Sequence, residues 1–353
     1  MGQSPSAFKN WPDSDFMKRG AFLTTTDGDV ILGKGGEITL TDKFIETETP
    51  VFYLKDFYTN KYLTYIPASI LKISKANVLA FLKDQSDFHP PFSPVENDDD
   101  LYQKDFDLLM SSFKSGLEKV VLISRETYEG FHKEKTIFRL LRRAFEIDAG
   151  RPYGLWHENY GVIGSTPELL YEVKNKTLST FALAGTARKG QEDALLNSMK
   201  DRHEHELVVK DIKEKLSDFT SDLAVYDTEL LPFKSMVHLK TDVVAKIRSD
   251  IDFTELTNKM SPTAALGGYP KDESLRFLQS SNYGRKHGHR YFGSCLGVIS
   301  PEHKEFVVSI RNVQWEEGHL FIESGGGVVP ESDFQKELEE IHLKRNTIRN
   351  YYL

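Results

Sequence analysis

The grouping of strands and helices along the chain is the sequence feature that most limits its fold. The first 85 residues contain short strand-like segments, and similar segments recur at 154–184, 306–311 and 319–324. Apolar residues at helical spacing predict long helices at 192–216 and 334–351. Because the helices do not alternate one for one with the strands, the sequence favours an α+β fold over a doubly wound parallel sheet.

Composition and charge exclude several classes of protein. The chain has 353 residues and a formal net charge of −8, which argues against nucleic acid as the partner. Cys295 is the only cysteine, so an intramolecular disulfide and a cysteine-based zinc site are excluded. No segment approaches the roughly 20 apolar residues of a membrane span. We therefore expect a soluble, cytoplasmic protein without membrane contact.

Local patterns give expectations for individual segments. An aromatic-rich hairpin is predicted at 51–66, with its turn near Thr59 and Asn60. The Pro- and Asp-rich segment 86–100 is predicted to be a surface loop. The apolar, β-branched run 120–124 indicates a buried strand, and residues 136–147 indicate an amphipathic helix.

Acidic residues lie beside the apolar faces of both long helices. Glu204 falls within the apolar stripe of the first helix, where a carboxylate needs a partner. Glu337 and Glu340 lie on one side of the last helix, with Lys344 one turn further on. These acids could clamp a hard cation such as Mg²⁺, which one or two carboxylates plus water and substrate oxygens suffice to hold. Salt bridges on the helix surfaces, including a Glu340–Lys344 pair, are the alternative interpretation.

Other candidates for chemistry lie at strand ends. Lys119 begins the apolar strand and could be a desolvated general base, or could extend its ammonium to water. Glu168 is flanked by proline and apolar residues, so it could be a general acid with a raised pKa, or a turn residue that caps an amide. The glycines of 324–329 could offer backbone amides to an anion, or could form a simple turn.

Nine segments taken together resemble one family, the chorismate-utilising enzymes, and they occur in the family's order. The family includes isochorismate synthase, salicylate synthase, and the large subunits of anthranilate synthase and aminodeoxychorismate synthase. The segments are EKVVLISR (118–125), GSTPELL (164–170), FALAGTARKG (181–190), KDRHEHELVVKDI (200–212), HLKTDV (238–243), SPTAALGGYP (261–270), VVSIRN (307–312), ESGGGVV (323–329) and ESDFQKELEEIHLK (331–344).

The resemblance implies a fold and a domain organisation. The implied fold is α+β, with two large antiparallel sheets packed as a sandwich and helices on the outside. A single chorismate-binding domain would span 1–353. Its catalytic part, which carries the motifs, would be 105–353, and 1–100 would be the variable N-terminal part of the sandwich.

The resemblance also implies a role for each matching residue. Lys119 would activate water for attack at C2 of chorismate, Glu168 would protonate the departing C4 hydroxyl, and His238 would act beside the substrate. Glu204 and Glu340 would bind Mg²⁺ and Glu337 would assist. The remaining candidates would bind substrate or compensate its charge: Leu183, Ala184, Gly185, Thr186, Arg311, Gly325, Gly326, Gly327 and Lys344.

Three positions favour one activity within the family. Lys119 fits a water nucleophile, whereas anthranilate synthases, which use ammonia, typically have Gln there. Ala184 is not the lysine of aminodeoxychorismate synthases, and Leu183 suits isochorismate synthases. Lys119 and Ala184 also argue against a glutamine amidotransferase partner. Isochorismate synthase is therefore the first hypothesis and salicylate synthase the alternative. A non-catalytic chorismate-binding protein is disfavoured by the intact catalytic set. The resemblance leaves open whether the product feeds menaquinone, a siderophore or salicylate.

Some positions depart from the family pattern. Ser261 stands where many members have His, and Ala264 stands where many have Pro. Either Tyr291 or Phe292 could occupy the aromatic position that faces the substrate. If it is Phe292, the pocket lacks a hydroxyl group that other members have.

Overall fold

The computed structural model describes residues 11–45, 47–83, 91–113, 116–147, 150–233 and 236–353. The strands are β1 Gly20–Thr24, β2 Asp29–Lys34, β3 Glu37–Thr41, β4 Val51–Lys55, β5 Tyr62–Ile66, β6 Ser69–Ser74, β7 Ser93–Asn97, β8 Lys119–Glu129, β9 Arg151–His157, β10 Tyr160–Thr166, β11 Leu169–Lys174, β12 Thr177–Arg188, β13 Thr220–Val225, β14 Glu229–Phe233, β15 Met236–Ile247, β16 Gly268–Tyr269, β17 Cys295–Ile299, β18 Lys304–Val308, β19 Asn312–Glu316 and β20 His319–Val328. The helices are α1 Ser14–Lys18, α2 Lys75–Lys83, α3 Asp99–Ser112, α4 Lys133–Glu146, α5 Glu192–Asn197, α6 Met199–Leu216, α7 Phe253–Met260, α8 Lys271–Ser280, α9 Asn282–His287 and α10 Phe334–Tyr352.

These strands form two antiparallel sheets, each with ten strands in the part of the chain that the structure describes. The first sheet has the order β16-β8-β20-β19-β10-β9-β1-β2-β6, and β7 pairs with β8. The second has the order β13-β15-β12-β11-β18-β17-β4-β5-β3, and β14 pairs with β15. The predicted α+β class and the antiparallel arrangement are confirmed.

The sheets pack face to face. One core cluster joins Leu23 and Leu155 of the first sheet to Phe52 and Leu296 of the second. The outer faces bury the apolar sides of the helices, with α6 on the second sheet and α10 beside β8 and β20 on the first. The structure thus has the sandwich with outer helices that the resemblance implied. Among the described helices, none is both long and apolar enough to cross a membrane.

The predicted loop at 86–100 is wrong in its second half. Residues 86–90 lie outside the described residues, but Ser93–Asn97 is a strand and α3 starts at Asp99. This strand lies at the edge of the first sheet, paired with β8 and interrupted by a bulge after Pro94. An edge position accepts proline because one side of the strand needs no amide donor. Composition therefore excluded a central strand here but not an edge strand.

The predicted helix at 192–216 is two helices that meet at Ser198. The backbone of Ser198 is extended, and its hydroxyl accepts a hydrogen bond of 3.2 Å from the amide of Asp201. Such a side-chain bond is what begins a new helix at an N-cap serine. Met199, the first residue of α6, is 87% exposed although it is apolar. The break sets the direction of α6 and hence of Glu204.

Candidate active site

A cavity of about 220 Å³ opens between α6, α10 and the second sheet. Most predicted site residues line it: Glu168, Leu183, Ala184, Gly185, Thr186, Glu204, His238, Arg311, Gly325, Gly327, Glu340 and Lys344. Three predicted residues, Lys119, Gly326 and Glu337, are not part of the lining and lie behind it. The fold thus brings together in one cavity residues that are separated by more than 150 positions in the sequence.

A β-bulge in β12 shapes one wall of the cavity. Ala184 pairs with Leu239 and Thr186 with His238, so Gly185 is an extra residue opposite a single step of β15. Its φ of +76° is the left-handed conformation that glycine adopts without strain. As a result, the four consecutive residues 183–186 all reach the lining, whereas a regular strand would present only alternate ones.

The glycines predicted as an anion-binding loop are instead part of strand β20. Gly325, Gly326 and Gly327 pair with Ile123, Leu122 and Val121 of β8. The loop prediction is therefore wrong for these residues. They are glycines for another reason, because a Cβ at 327 would lie 2.7 Å from Cε of Lys119 and closer still to Glu204. The absence of a side chain at Gly327 allows the Glu204 carboxylate of α6 to lie against the sheet.

Backbone groups of β20 nonetheless face the cavity. Nζ of Lys344 donates a 3.0 Å hydrogen bond to the carbonyl of Gly325. In an antiparallel strand the amide and carbonyl of one residue point to the same side. The amide of Gly325 therefore points towards Lys344 and the cavity, where an anionic group could accept from it.

Each predicted metal carboxylate forms an ion pair with a lysine. The distances from Nζ to a carboxylate oxygen are 2.8 Å for Lys119–Glu204 and 2.7 Å for Lys344–Glu340. The third pair joins Lys200 to Glu337 at 2.6 Å. The partner of Glu204 is thus Lys119 of strand β8, which is not a neighbour on the surface of its own helix. The Glu340–Lys344 pair exists as the surface alternative proposed, but it lies in the cavity wall.

The two predicted carboxylates that line the cavity, Glu204 and Glu340, are the kind of ligand that a magnesium ion takes. Hard oxygen ligands are what Mg²⁺ requires, and here α6 and α10 present carboxylates to one space. Lysine ammonium groups neutralise these carboxylates, as a bound cation would. Burial raises the pKa of Glu340, but the ammonium of Lys344 outweighs this and holds the pKa below its usual range. Glu340 is therefore ionised at neutral pH and able to bind a cation.

Asp201 is a cavity residue that sequence reasoning missed. It lines the cavity one helical turn before Glu204, and burial raises its pKa. The spacing of i and i+3 relative to Glu204 was a usable signal, since it repeats the spacing of Glu337 and Glu340.

Glu168 has the environment of a general acid. Its side chain is buried, and burial raises its pKa from 4.5 to about 7, although the charges of Lys119 and Arg311 act in the opposite direction. The backbone of Glu168 is anchored to β18, because its carbonyl accepts a 3.0 Å hydrogen bond from the amide of Val308. A carboxyl group that is partly protonated near neutral pH can donate a proton to a leaving group.

Arg311 and His238 form a polar pair across the cavity wall. Arg311 has a φ of +53°, an unfavourable conformation for a non-glycine residue. Burial lowers the pKa of Arg311 to about 10, so it remains charged at neutral pH. Burial, then the nearby Arg311, lowers the pKa of His238 to about 3. The neutral His238 ring lies 3.4 Å from Nη2 of Arg311 and 2.9 Å from Oγ1 of Thr186, so it can orient the guanidinium.

The aromatic residue at the cavity is Phe292. Phe292 lines the cavity, whereas the ring of Tyr291 contacts that of Tyr160 in a tilted arrangement, with ring centres 4.9 Å apart. The wall therefore lacks the hydroxyl that a tyrosine would supply. The carbonyl of Phe292 accepts a 2.8 Å hydrogen bond from Nε of Arg290, and the carbonyl of Leu266 accepts one of 3.2 Å from Nη2.

Arg290 connects this wall to the N-terminal hairpin. Its guanidinium is buried and lies 3.3 Å from the ring centre of Phe57, in the predicted hairpin of β4 and β5. The amide of Phe57 in turn donates a 2.7 Å hydrogen bond to the carbonyl of Arg290. The first hundred residues thus support the cavity wall. Sequence reasoning did not reveal this contact, because it depends on the approach of two distant segments.

Comparison with known proteins identifies the family. A family model described as chorismate binding enzyme matches residues 69–351. The chain therefore belongs to the chorismate binding enzyme family.

Individual relatives are isochorismate synthases by name. The salicylate biosynthesis isochorismate synthase of Pseudomonas aeruginosa is 33% identical over 197 residues, which cover 53% of this chain and 41% of the relative. Isochorismate synthase MenF of Pasteurella multocida is 32% identical over 200 residues, 53% of this chain and 46% of the relative. The vibriobactin-specific isochorismate synthase of Vibrio cholerae is 30% identical over 269 residues, 70% of this chain and 65% of the relative. The chain thus spans about half the length of the curated relatives that it matches.

Solved structures share the fold. MenF of Escherichia coli superposes with a TM-score of 0.82 at 18% identity and covers 98% of this chain and 91% of that one. DhbC of Bacillus anthracis gives 0.78 at 23% identity, with 95% and 96% covered. Anthranilate synthase component I of Streptococcus pneumoniae gives 0.68 at 16% identity, with 93% and 89% covered.

Proposed function

We propose that this chain converts chorismate to isochorismate in a magnesium-dependent reaction. The observation that carries the proposal is the content of one cavity. It places the buried acid Glu168, the cationic Arg311 and the carboxylates of α6 and α10 around a single space, and Lys119 lies directly behind Glu204. This set suits a dianionic substrate that exchanges a hydroxyl group between two ring carbons.

The proposed chemistry needs one base and one acid. Lys119 would first lose a proton to solvent as a metal ion replaced it beside Glu204, and its neutral amine would then take a proton from water as the water oxygen bonds to C2 of the ring. The ring double bonds shift, the C4–O bond breaks, and Glu168 supplies the proton with which the hydroxyl leaves as water. One water enters and one leaves, so the reaction is an isomerisation. The pKa of about 7 allows Glu168 to be protonated before the step and ionised after it.

Binding would divide between the two ends of the cavity. Arg311, oriented by His238, would bind the carboxylate of the enolpyruvyl group. Glu204 and Glu340 would hold magnesium, with Glu337 and Asp201 close by, and the ion would supply positive charge to the ring carboxylate. Lys344 and the amide of Gly325 would add donors at the same end.

The names of the relatives support isochorismate as the product, since those reported above are named isochorismate synthases. We also propose a cytoplasmic location, because the single thiol of Cys295 is buried and unbridged, as is usual in reducing compartments.

The proposal is tested by product analysis. Purified protein is incubated with chorismate, with Mg²⁺ or with a chelator, and the products are separated by chromatography. Isochorismate formed only with Mg²⁺ is the expected result. Formation of salicylate and pyruvate would instead identify the activity as that of a salicylate synthase. Absence of any product would indicate binding of chorismate without turnover.

A further inference from the structure

The ion pair between Lys200 and Glu337 joins two helices at the proposed metal site. Lys200 lies in the first turn of α6, and its Nζ is 2.6 Å from Oε1 of Glu337 at the start of α10. The Glu337 side chain is only 2% exposed, whereas that of Lys200 is 32% exposed. A buried carboxylate is therefore neutralised by a side chain that reaches it from the surface.

The position of Lys200 differs from that of the other two lysines. Lys119 is fully buried and Lys344 lines the cavity, and both have roles in the proposed reaction. Lys200 is 32% exposed, lies outside the lining and has no such role. Its ammonium nevertheless lies in the field of all three acids, since Glu204 and Glu340 act on it after Glu337. The same acids that attract the Lys200 ammonium would also attract a divalent ion.

We infer that Lys200 is an internal counter-cation that competes with magnesium for Glu337 and so weakens metal binding. The inference rests on the proposed magnesium dependence. In the absence of metal, the buried Glu337 needs a partner, and Lys200 supplies it together with a 2.8 Å hydrogen bond from Ser332. When a cation binds among the acids, repulsion between like charges favours movement of Lys200 into solvent, which its flexible stem allows.

Removal of the ammonium should therefore strengthen metal binding. In Lys200→Met, we expect the dissociation constant for Mg²⁺ to fall roughly tenfold, because Glu337 is no longer held in an ion pair and is free to interact with the ion. Lys200→Arg keeps the charge and should bind as the wild type does. Lys213→Met is the matched control, since it removes an exposed lysine from the same helix about 20 Å away.

The measurement is calorimetric titration of the full chain with MgCl₂, without substrate. A thermal readout accompanies it. Without metal, Lys200→Met should melt at a lower temperature than the wild type because Glu337 loses its partner, and Mg²⁺ should raise its melting temperature by more. In a Glu337→Gln background, Lys200→Met should no longer strengthen binding.

Three outcomes would overturn the inference. An unchanged or weaker affinity in Lys200→Met, with equal melting losses with and without Mg²⁺, would show that the pair only ties α6 to α10. A gain that persists in the Glu337→Gln background would show that Glu337 is not the shared group. Absence of Mg²⁺ binding by the wild type would remove the magnesium proposal, and this inference with it.

Discussion

Gly327 and Glu204 lie so close together that no side chain fits between them. A Cβ on Gly327 would overlap the Glu204 carboxylate and lie 2.7 Å from Cε of Lys119. The proposed base and a proposed metal ligand therefore depend on the absence of a side chain in strand β20.

Gly327→Ala should consequently impair the site from within the sheet. We expect at least a tenfold loss of isochorismate formation and a loss of about 1–3 kcal/mol in the free energy of unfolding, as overpacking typically causes. Gly326→Ala is the control from the same strand, because its nearest new contacts are at 3.3 and 3.4 Å. Urea unfolding and product assays compare the two variants. Equal losses in both would contradict the role assigned to the contact.

Glu168→Gln should abolish turnover and yet stabilise the protein at alkaline pH. The folded protein favours the neutral acid, with a pKa of about 7 against a reference of 4.5. The wild type therefore loses stability as the pH rises from about 4.5 to 7, and the loss persists above 7. Glutamine carries no charge, so the variant should be more stable by about 3 kcal/mol at pH 8 and gain nothing at pH 4.

The same pKa predicts the pH dependence of the wild-type reaction. Because Glu168 must be protonated to act as the acid, turnover should decline as the pH rises through about 7. Urea unfolding at pH 4 and pH 8 tests the stability change, and a rate profile tests the decline. If Glu168 served only as a turn residue, the glutamine variant would keep activity and show no pH-dependent gain.

Lys119→Met should stop water addition while the substrate still binds. Loss of a general base typically costs a factor of about 10²–10⁴ in rate. Arg311 does not depend on Lys119, so chorismate affinity measured by calorimetry should change much less than turnover. Lys55→Met, which replaces another buried lysine, at the hairpin, is the comparison for nonspecific loss of packing. Retained turnover in Lys119→Met would exclude Lys119 as the base.

Arg290→Lys should weaken substrate binding through the cavity wall. Lysine keeps the charge but loses the planar group that reaches both carbonyls and stacks on Phe57. We expect KM for chorismate to rise severalfold with a smaller change in kcat, because the wall shifts while Lys119 and Glu168 remain in place. A fall in kcat alone, with KM unchanged, would argue against this support of the wall.

The sequence predicted the acidic faces of the helices because helical spacing is a local property. Glu204, Glu337 and Glu340 could be placed on helix faces without knowledge of how the helices pack. The partner of Glu340 on the same helix could also be placed, but that of Glu337 could not, since Lys200 lies on a different helix, 137 residues away. Pairing depends on the approach of α6 to α10, and no spacing along either helix encodes it.

The glycines of β20 show a second limit. Three glycines in a row are typical of turns, and only the neighbouring Glu204 and Lys119 explain them as a strand. Asp201 was missed because it looked like an ordinary residue of the first helical turn. The fold class, by contrast, followed from the grouping of strands along the chain, and the resemblance supplied the sandwich.

The bulge at Gly185 makes the cavity wall depend on the exact number of residues in β12. Deletion of this one residue would leave Ala184 opposite Leu239 and Thr186 opposite His238, but it would remove the bulge that brings four consecutive residues to the cavity. Insertions and deletions, usually tolerated at the surface, would therefore act here like several simultaneous substitutions in the cavity wall.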